Sequence, residues 1–130
     1  MKDFVPYNEA LALKELGFDE PCFGFWNENK EFTSIEFDVY SGGNLFDLIK
    51  NHNNDVDTNA PTFSQVFRFF REKYSFCGWV QEHYFKGLVF YQYHISRETL
   101  LDVISDIYEA HEQAELECVK KLIEIAKQKN

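Results

Sequence analysis

The chain has 130 residues, 22 acidic against 13 basic, giving a formal net charge of −9 and a pI near 4.8. Without clustered Lys and Arg it lacks the usual means of gripping a nucleic acid backbone or an anionic membrane, so solubility and basic partners are the positive readings. Aromatic residues make up 18% of the chain, with 14 Phe, which suits a single globular domain over 1–130 whose aromatic core closes without disulfides or metals.

In chain order, residues 6–16 read as a first helix, with Pro6 in the initial turn and Gly17 as a left-handed C-terminal cap that folds Phe18 back. A strand follows at 22–26, a turn at Asn27-Glu28-Asn29-Lys30, and a second strand from 32 to about 40. In that strand Thr33, Ile35, Phe37 and Val39 alternate with Ser34, Glu36 and Asp38, the pattern of a half-exposed strand. Residues 44–49 read as a short helical turn and 51–59 as a mobile surface loop. The run Asp55-Val56-Asp57-Thr58-Asn59 has the opening of a calcium loop but not its remainder. Ala60 stands where Gly is required, Pro61 follows, and Val66 takes the place of the bidentate acid.

Residues 59–96 form the most informative stretch. Ala60-Pro61-Thr62 leads into a helix starting at Phe63, where Thr62 is placed as N-cap and Val66, Phe67, Phe70 and Tyr74 draw an apolar stripe. Two strands, 76–80 and 87–95, follow with Tyr84-Phe85-Lys86-Gly87 as the turn between them. Helix followed by hairpin therefore occurs twice. Residues 97–130 read as helical, with Leu100, Ile104, Ile107, Ala114, Cys118, Leu122 and Ile125 joined in helical steps. The expected architecture is α+β, an αββ-αββ-α plan with an antiparallel sheet of about four strands and helices packed on one face.

The segments at 60–74 (Ala-Pro-Thr-Phe-Ser-Gln-Val-Phe-Arg-Phe-Phe-Arg-Glu-Lys-Tyr) and 114–127 (Ala-Glu-Leu-Glu-Cys-Val-Lys-Lys-Leu-Ile-Glu-Ile-Ala-Lys), with Gly17-Phe18-Asp19-Glu20-Pro21-Cys22 near the start, resemble small uncharacterised proteins encoded by phages and prophages of Bacteroidota-type bacteria. The resemblance implies no assigned activity and transfers no catalytic residue. Against that pattern Phe69 stands for Trp and Val66 for Ala, both apolar exchanges. Ala110-His111-Glu112-Gln113-Ala114 replaces Thr-Tyr-Glu-Glu-Ala, so the usual N-cap is missing and the last helix is expected to run back to 107 or further, absorbing 97–109.

No cofactor fingerprint, metal-ligand spacing or catalytic constellation stands out, so catalytic, cofactor and metal residues are all read as none. His52, His83, His94 and His111 share no ligand spacing with one another or with the cysteines. His83 and His94, on or beside paired strands, are read as packing residues that can approach each other. Cys22, Cys77 and Cys118, odd in number and set among apolar neighbours, read as buried reduced thiols. No apolar run near the start resembles a signal peptide and none later reaches membrane-spanning length, which leads to the expectation of a cytoplasmic protein.

Arg68 and Arg71, three apart on the aromatic helix, define an edge that could bind an anion together with Tyr84 or Lys86. Tyr91 and Tyr93 extend this candidate interaction surface along the hairpin. Aromatic anchors dominate interface energy, which makes the leading expectation a non-catalytic phage or prophage accessory protein that binds a protein partner or a second copy of itself. Two alternatives remain open on the residues alone. One is an enzyme or small-molecule-binding module with a pocket between helices and sheet. The other is a nucleic-acid-associated protein or an acidic mimic of nucleic acid.

Overall fold

The computed structural model describes residues 3–34, 53–97 and 100–129. The expected turn at 44–49 and the strand beyond Ser34 lie outside these residues. The chain separates into two compact units, Met1–Thr62 and Phe63–Asn130. Helices and antiparallel strands occur in both, so the architecture is α+β.

In the first unit, α1 (Tyr7–Glu15) follows Pro6 and buries Ala10 and Leu13. Its end is a Schellman motif. Gly17 adopts φ 98°, its amide donates to the Lys14 carbonyl at 3.0 Å, and the Phe18 amide donates to the Leu13 carbonyl at 2.9 Å. Phe18 and Leu13, the two side chains this motif brings together, are both buried.

Strands β1 (Gly24–Trp26) and β2 (Phe32–Ser34) pair with Trp26 opposite Phe32. The connection folds as a turn closed by Lys30 at φ 64°, while the Asn27 side-chain oxygen accepts from the amides of Asn29 and Glu31, both at 2.9 Å.

The sequence reading missed β3 (Thr58–Ala60), which pairs with the other edge of β1 and gives the order β2-β1-β3. The expectation of a mobile loop through 59 is therefore corrected. The Asn54 side chain accepts from the amides of Val56 and Asp57, and Asn53 donates to the Phe18 carbonyl. Buried Asn59 donates from Nδ2 to the Glu20 carbonyl at 2.8 Å. Amide side chains that read as loop formers are spent here on tying the segment down.

In the second unit, α2 (Phe63–Tyr74) starts where the Pro61-Thr62 signal placed it and buries Phe63, Val66, Phe69 and Phe70. Phe69 rather than Phe67 thus belongs to the inner stripe. Ser75, at φ 60°, turns the chain into β4 (Phe76–Phe85), and the Tyr74 and Phe76 rings stack across that turn at 5.5 Å. β5 (Leu88–Arg97) pairs with β4 in unbroken register from Phe76 opposite Arg97 to Phe85 opposite Leu88. The turn is only Lys86-Gly87, at φ 49° and 80°, so it is shorter than expected and β4 is five residues longer. Two positive φ values are what a tight two-residue hairpin requires to match strand twist.

The last segment holds the main correction. Residues 97–109 do not join the final helix. Leu100–Ile104 is a strand, β6, paired with β5 through a bulge at Ile95/Ser96, and Tyr108 exchanges two 2.8 Å backbone bonds with Tyr91. The final helix, α3 (His111–Lys129), begins at the Ala110-His111 junction where a missing cap argued against a start. It buries Ala114, Cys118, Val119, Leu122, Ile125 and Ala126. The order β4-β5-β6 makes a second three-stranded sheet in place of one sheet of about four strands. Each unit is thus a helix with three strands, and α3 closes the second.

Candidate functional site

Strand alternation assigns the β4–β5 hairpin two faces. Phe76, Gly78, Val80, Tyr93 and Ile95 lie on the face that packs beneath α2 and α3. Phe76 and Ile95 are fully buried, and a Cβ built on Gly78 would lie 3.1 Å from both Cys118 Sγ and Leu122 Cδ1. Continued outward, this face carries Glu82, Tyr84, Val89 and Tyr91, while the opposite face carries His83, Phe85, Leu88 and Phe90.

β6 ends opposite His94 and the Tyr91–Tyr108 bridge closes the third layer of pairing. Beyond it, residues 82–90 form a two-stranded arm. Tyr84 is 74% exposed, Phe85 60%, Leu88 69% and Val89 42%, so the arm is apolar on both faces and wet on both. Isolated two-stranded ribbons are marginal in water, and contiguous exposed apolar surface marks interaction sites. The arm holds two charged residues, Glu82 and Lys86. The Tyr84 hydroxyl donates to Glu82 Oε2 at 2.6 Å, and this bond raises the Tyr84 pKa; Lys86 Nζ lies 5.3 Å from the Phe85 ring centre.

A cleft of about 330 Å³ lies at the other end of β4, lined by Ser64, Phe67, Arg71, Gly78, Trp79, Val80, His111 and Glu115. His111 Nδ1 sits 3.3 Å from Glu115 Oε1. Arg71 faces this cleft, whereas Arg68 is exposed outside it. Gly78 and Tyr84 are six residues apart, roughly 20 Å along a strand. The expected edge of Arg68 and Arg71 with Tyr84 or Lys86 is therefore not one site. Tyr91 packs edge-on against His111 at 5.5 Å. Tyr93 is buried and stacks on Tyr108, and burial pushes its hydroxyl up to about 12, which removes it from the interaction surface.

His94 and His83 share the outer face, and each stacks on its own cross-strand partner. The Trp79 and His94 rings lie 5.1 Å apart, and His83 and Phe90 5.5 Å. His94 is 9% exposed and neither of its ring nitrogens has a hydrogen-bond partner. Burial, with the charge of His83 second, lowers its pKa. The unfolded chain therefore takes up this proton first. The stability owed to neutral His94 is complete above about pH 6.5 and is lost as pH falls through that value towards the folded pKa. A thermal series from pH 7.5 to 5.5 is expected to show the midpoint falling more steeply for the native chain than for His94→Phe, which keeps the ring stack but cannot titrate. Parallel slopes would remove His94 from the account.

Cys22 and Cys118 are buried, and burial pushes the Cys118 thiol up to about 12. Cys77 is exposed, contrary to its reading as a core thiol, because it falls on the outer face of β4. Among the described residues, no group of three or more His, Cys, Asp or Glu is placed to hold a metal ion, and no helix is long and apolar enough to cross a membrane.

Sequence reasoning missed Phe85, Leu88 and Val89 as site residues. The available signal was Lys86-Gly87 flanked directly by Tyr84-Phe85 and Leu88-Val89-Phe90-Tyr91, with no charged residue among them. Comparison with family models, curated proteins and solved structures finds no match. What the fold and site define is an α+β chain with an exposed apolar arm.

Proposed function

We propose that this chain is a non-catalytic protein-binding module whose contact surface is the β4–β5 arm, acting in the cytoplasm as an accessory protein of phage or prophage type. The observation that carries the reading is the exposure of Tyr84, Phe85, Leu88 and Val89 on both faces of one ribbon. Large apolar side chains held on a hydrogen-bonded hairpin lose little further freedom on docking, so they suit interface anchors. The provenance rests on the sequence resemblance at 60–74 and 114–127.

The cleft at Arg71 supports a ligand-binding reading less well. Its acid, Glu115, already lies 3.3 Å from His111 Nδ1, and Arg71 is the one basic side chain on the α2 wall. A nucleic acid reading has still less support, since the arm offers aromatics with a single Lys.

The test is capture from host lysate by the native chain and by Leu88→Asp, compared by mass spectrometry. Leu88 is exposed at the tip, so the substitution is expected to cost less than about 0.5 kcal/mol of stability. Proteins held stoichiometrically by the native chain should be lost by Leu88→Asp at least tenfold. Equal recovery by both would place the contact surface elsewhere.

A further inference from the structure

We infer that the arm's partner is a second copy of this chain, joined by antiparallel pairing of β4 with β4 centred on Tyr84. This inference rests on the arm being the contact surface and names what occupies it. β4 is an edge strand in the order β4-β5-β6, and among the described residues it pairs with β5 alone. It carries no Pro and no bulge, two devices that protect natural edges from further pairing.

The two halves of this edge differ. Along Gly78, Trp79 and Val80 it is flanked by Ser64, Phe67 and Arg71 of α2. From Gln81 outward the β4 residues are exposed, apart from half-buried His83. A partner strand therefore has room only on the outer half.

Charge selects the occupant and the register. Two chains of net charge −9 repel, so they can meet only where acidity is lowest. The arm has one acid and one base, Glu82 and Lys86, four residues apart. Antiparallel pairing about Tyr84 sets Glu82 of each copy across from Lys86 in the hairpin turn of the other, twice by symmetry. Opposite charges brought to that spacing attract, whereas a register that met Glu82 with Glu82 would set like charges together. The same register sets His83 against Phe85 and leaves both copies' helices on one side of a continuous sheet. A two-fold operator makes the contact self-complementary and closed.

The experiment uses the full chain. Light scattering is expected to give twice the 15.4 kDa chain mass, and Phe85→Asp, at the seam against His83 of the other copy, to return it to the monomer. In a Cys77→Ser background, which removes the exposed native thiol, Tyr84→Cys is expected to cross-link between copies under mild oxidation. Directly opposed residues lie about 4.5–5.5 Å apart at Cα, within disulfide reach. Val89→Cys, on the inner strand of the arm, should not cross-link. A native chain that is monomeric across the accessible concentration range overturns the inference, as does a dimer that cross-links through Val89→Cys instead of Tyr84→Cys. A monomer whose lysate capture is still lost in Leu88→Asp would overturn the second copy alone and leave the arm as the surface for a different protein.

Discussion

Replacing Phe70 with alanine is expected to remove about 3–5 kcal/mol of stability, the cost of deleting a fully buried ring. Phe70 has no exposed surface, and its ring lies 5.3 Å from Phe69 and 5.7 Å from Tyr74, which continues the stack to Phe76. Domains of this size hold roughly 5–15 kcal/mol in all, so the variant should sit close to its unfolding transition without denaturant. Phe85→Ala is the informative contrast. Its ring is 60% exposed, and the loss should stay within about 0.5 kcal/mol for the monomer. Urea midpoints measure both. A similar loss in the two variants would mean that the arm is packed like the core, and the binding account would fail with it.

The second large effect is at Gly78. A Cβ there meets Cys118 Sγ and Leu122 Cδ1 at 3.1 Å and Phe67 Cδ1 at 3.4 Å, so the absence of a side chain is what lets the two helices close over β4. Valine adds two further carbons to a space already filled. The expected cost is about 1–3 kcal/mol from overpacking, seen as a lower urea midpoint. An unchanged midpoint would show that α3 does not sit against the strand. Backbone strain plays no part in this argument; the effect is steric and should grow with side-chain volume, alanine costing less than valine.

Much of the fold was legible where the signal is local. Gly17 after a helical run and Pro61-Thr62 before one fix backbone geometry through their own stereochemistry and were found in place, while the turn expected over 84–87 narrowed to Lys86-Gly87. β3 was not legible because it is short and depends on pairing with the distant β1, and β6 because its residues, though paired with the adjacent β5, carry no strand pattern that sets them apart. Thr58-Asn59-Ala60 has no strand pattern of its own and exists by bonding to β1. Leu100–Ile104 fits a helical stripe as well as a strand until Tyr91 and Tyr108 fix the chain across β5. The missing cap at Ala110-His111 misled for a related reason. With Tyr108 held against Tyr91, the backbone turns at that point whatever the cap residue. Of the candidate surface, Tyr84 and Lys86 were read as companions of an Arg68–Arg71 edge; the structure sets them on the β4–β5 arm, away from Arg71. Phe85 was read as part of the turn, and Leu88 and Val89 as residues of a strand placed centrally in a sheet, since in sequence an exposed apolar run and a buried one are alike.

Amide hydrogen exchange across the arm tests the claim that this ribbon is where the chain meets its protein partner. Among the described residues the edge amides of β4 beyond Val80 have no partner strand, so they should exchange rapidly at low concentration and slow markedly on association, with residues 82–89 showing the largest change. Protection appearing elsewhere, for example around Arg71 and His111, while the arm continues to exchange freely would contradict the account.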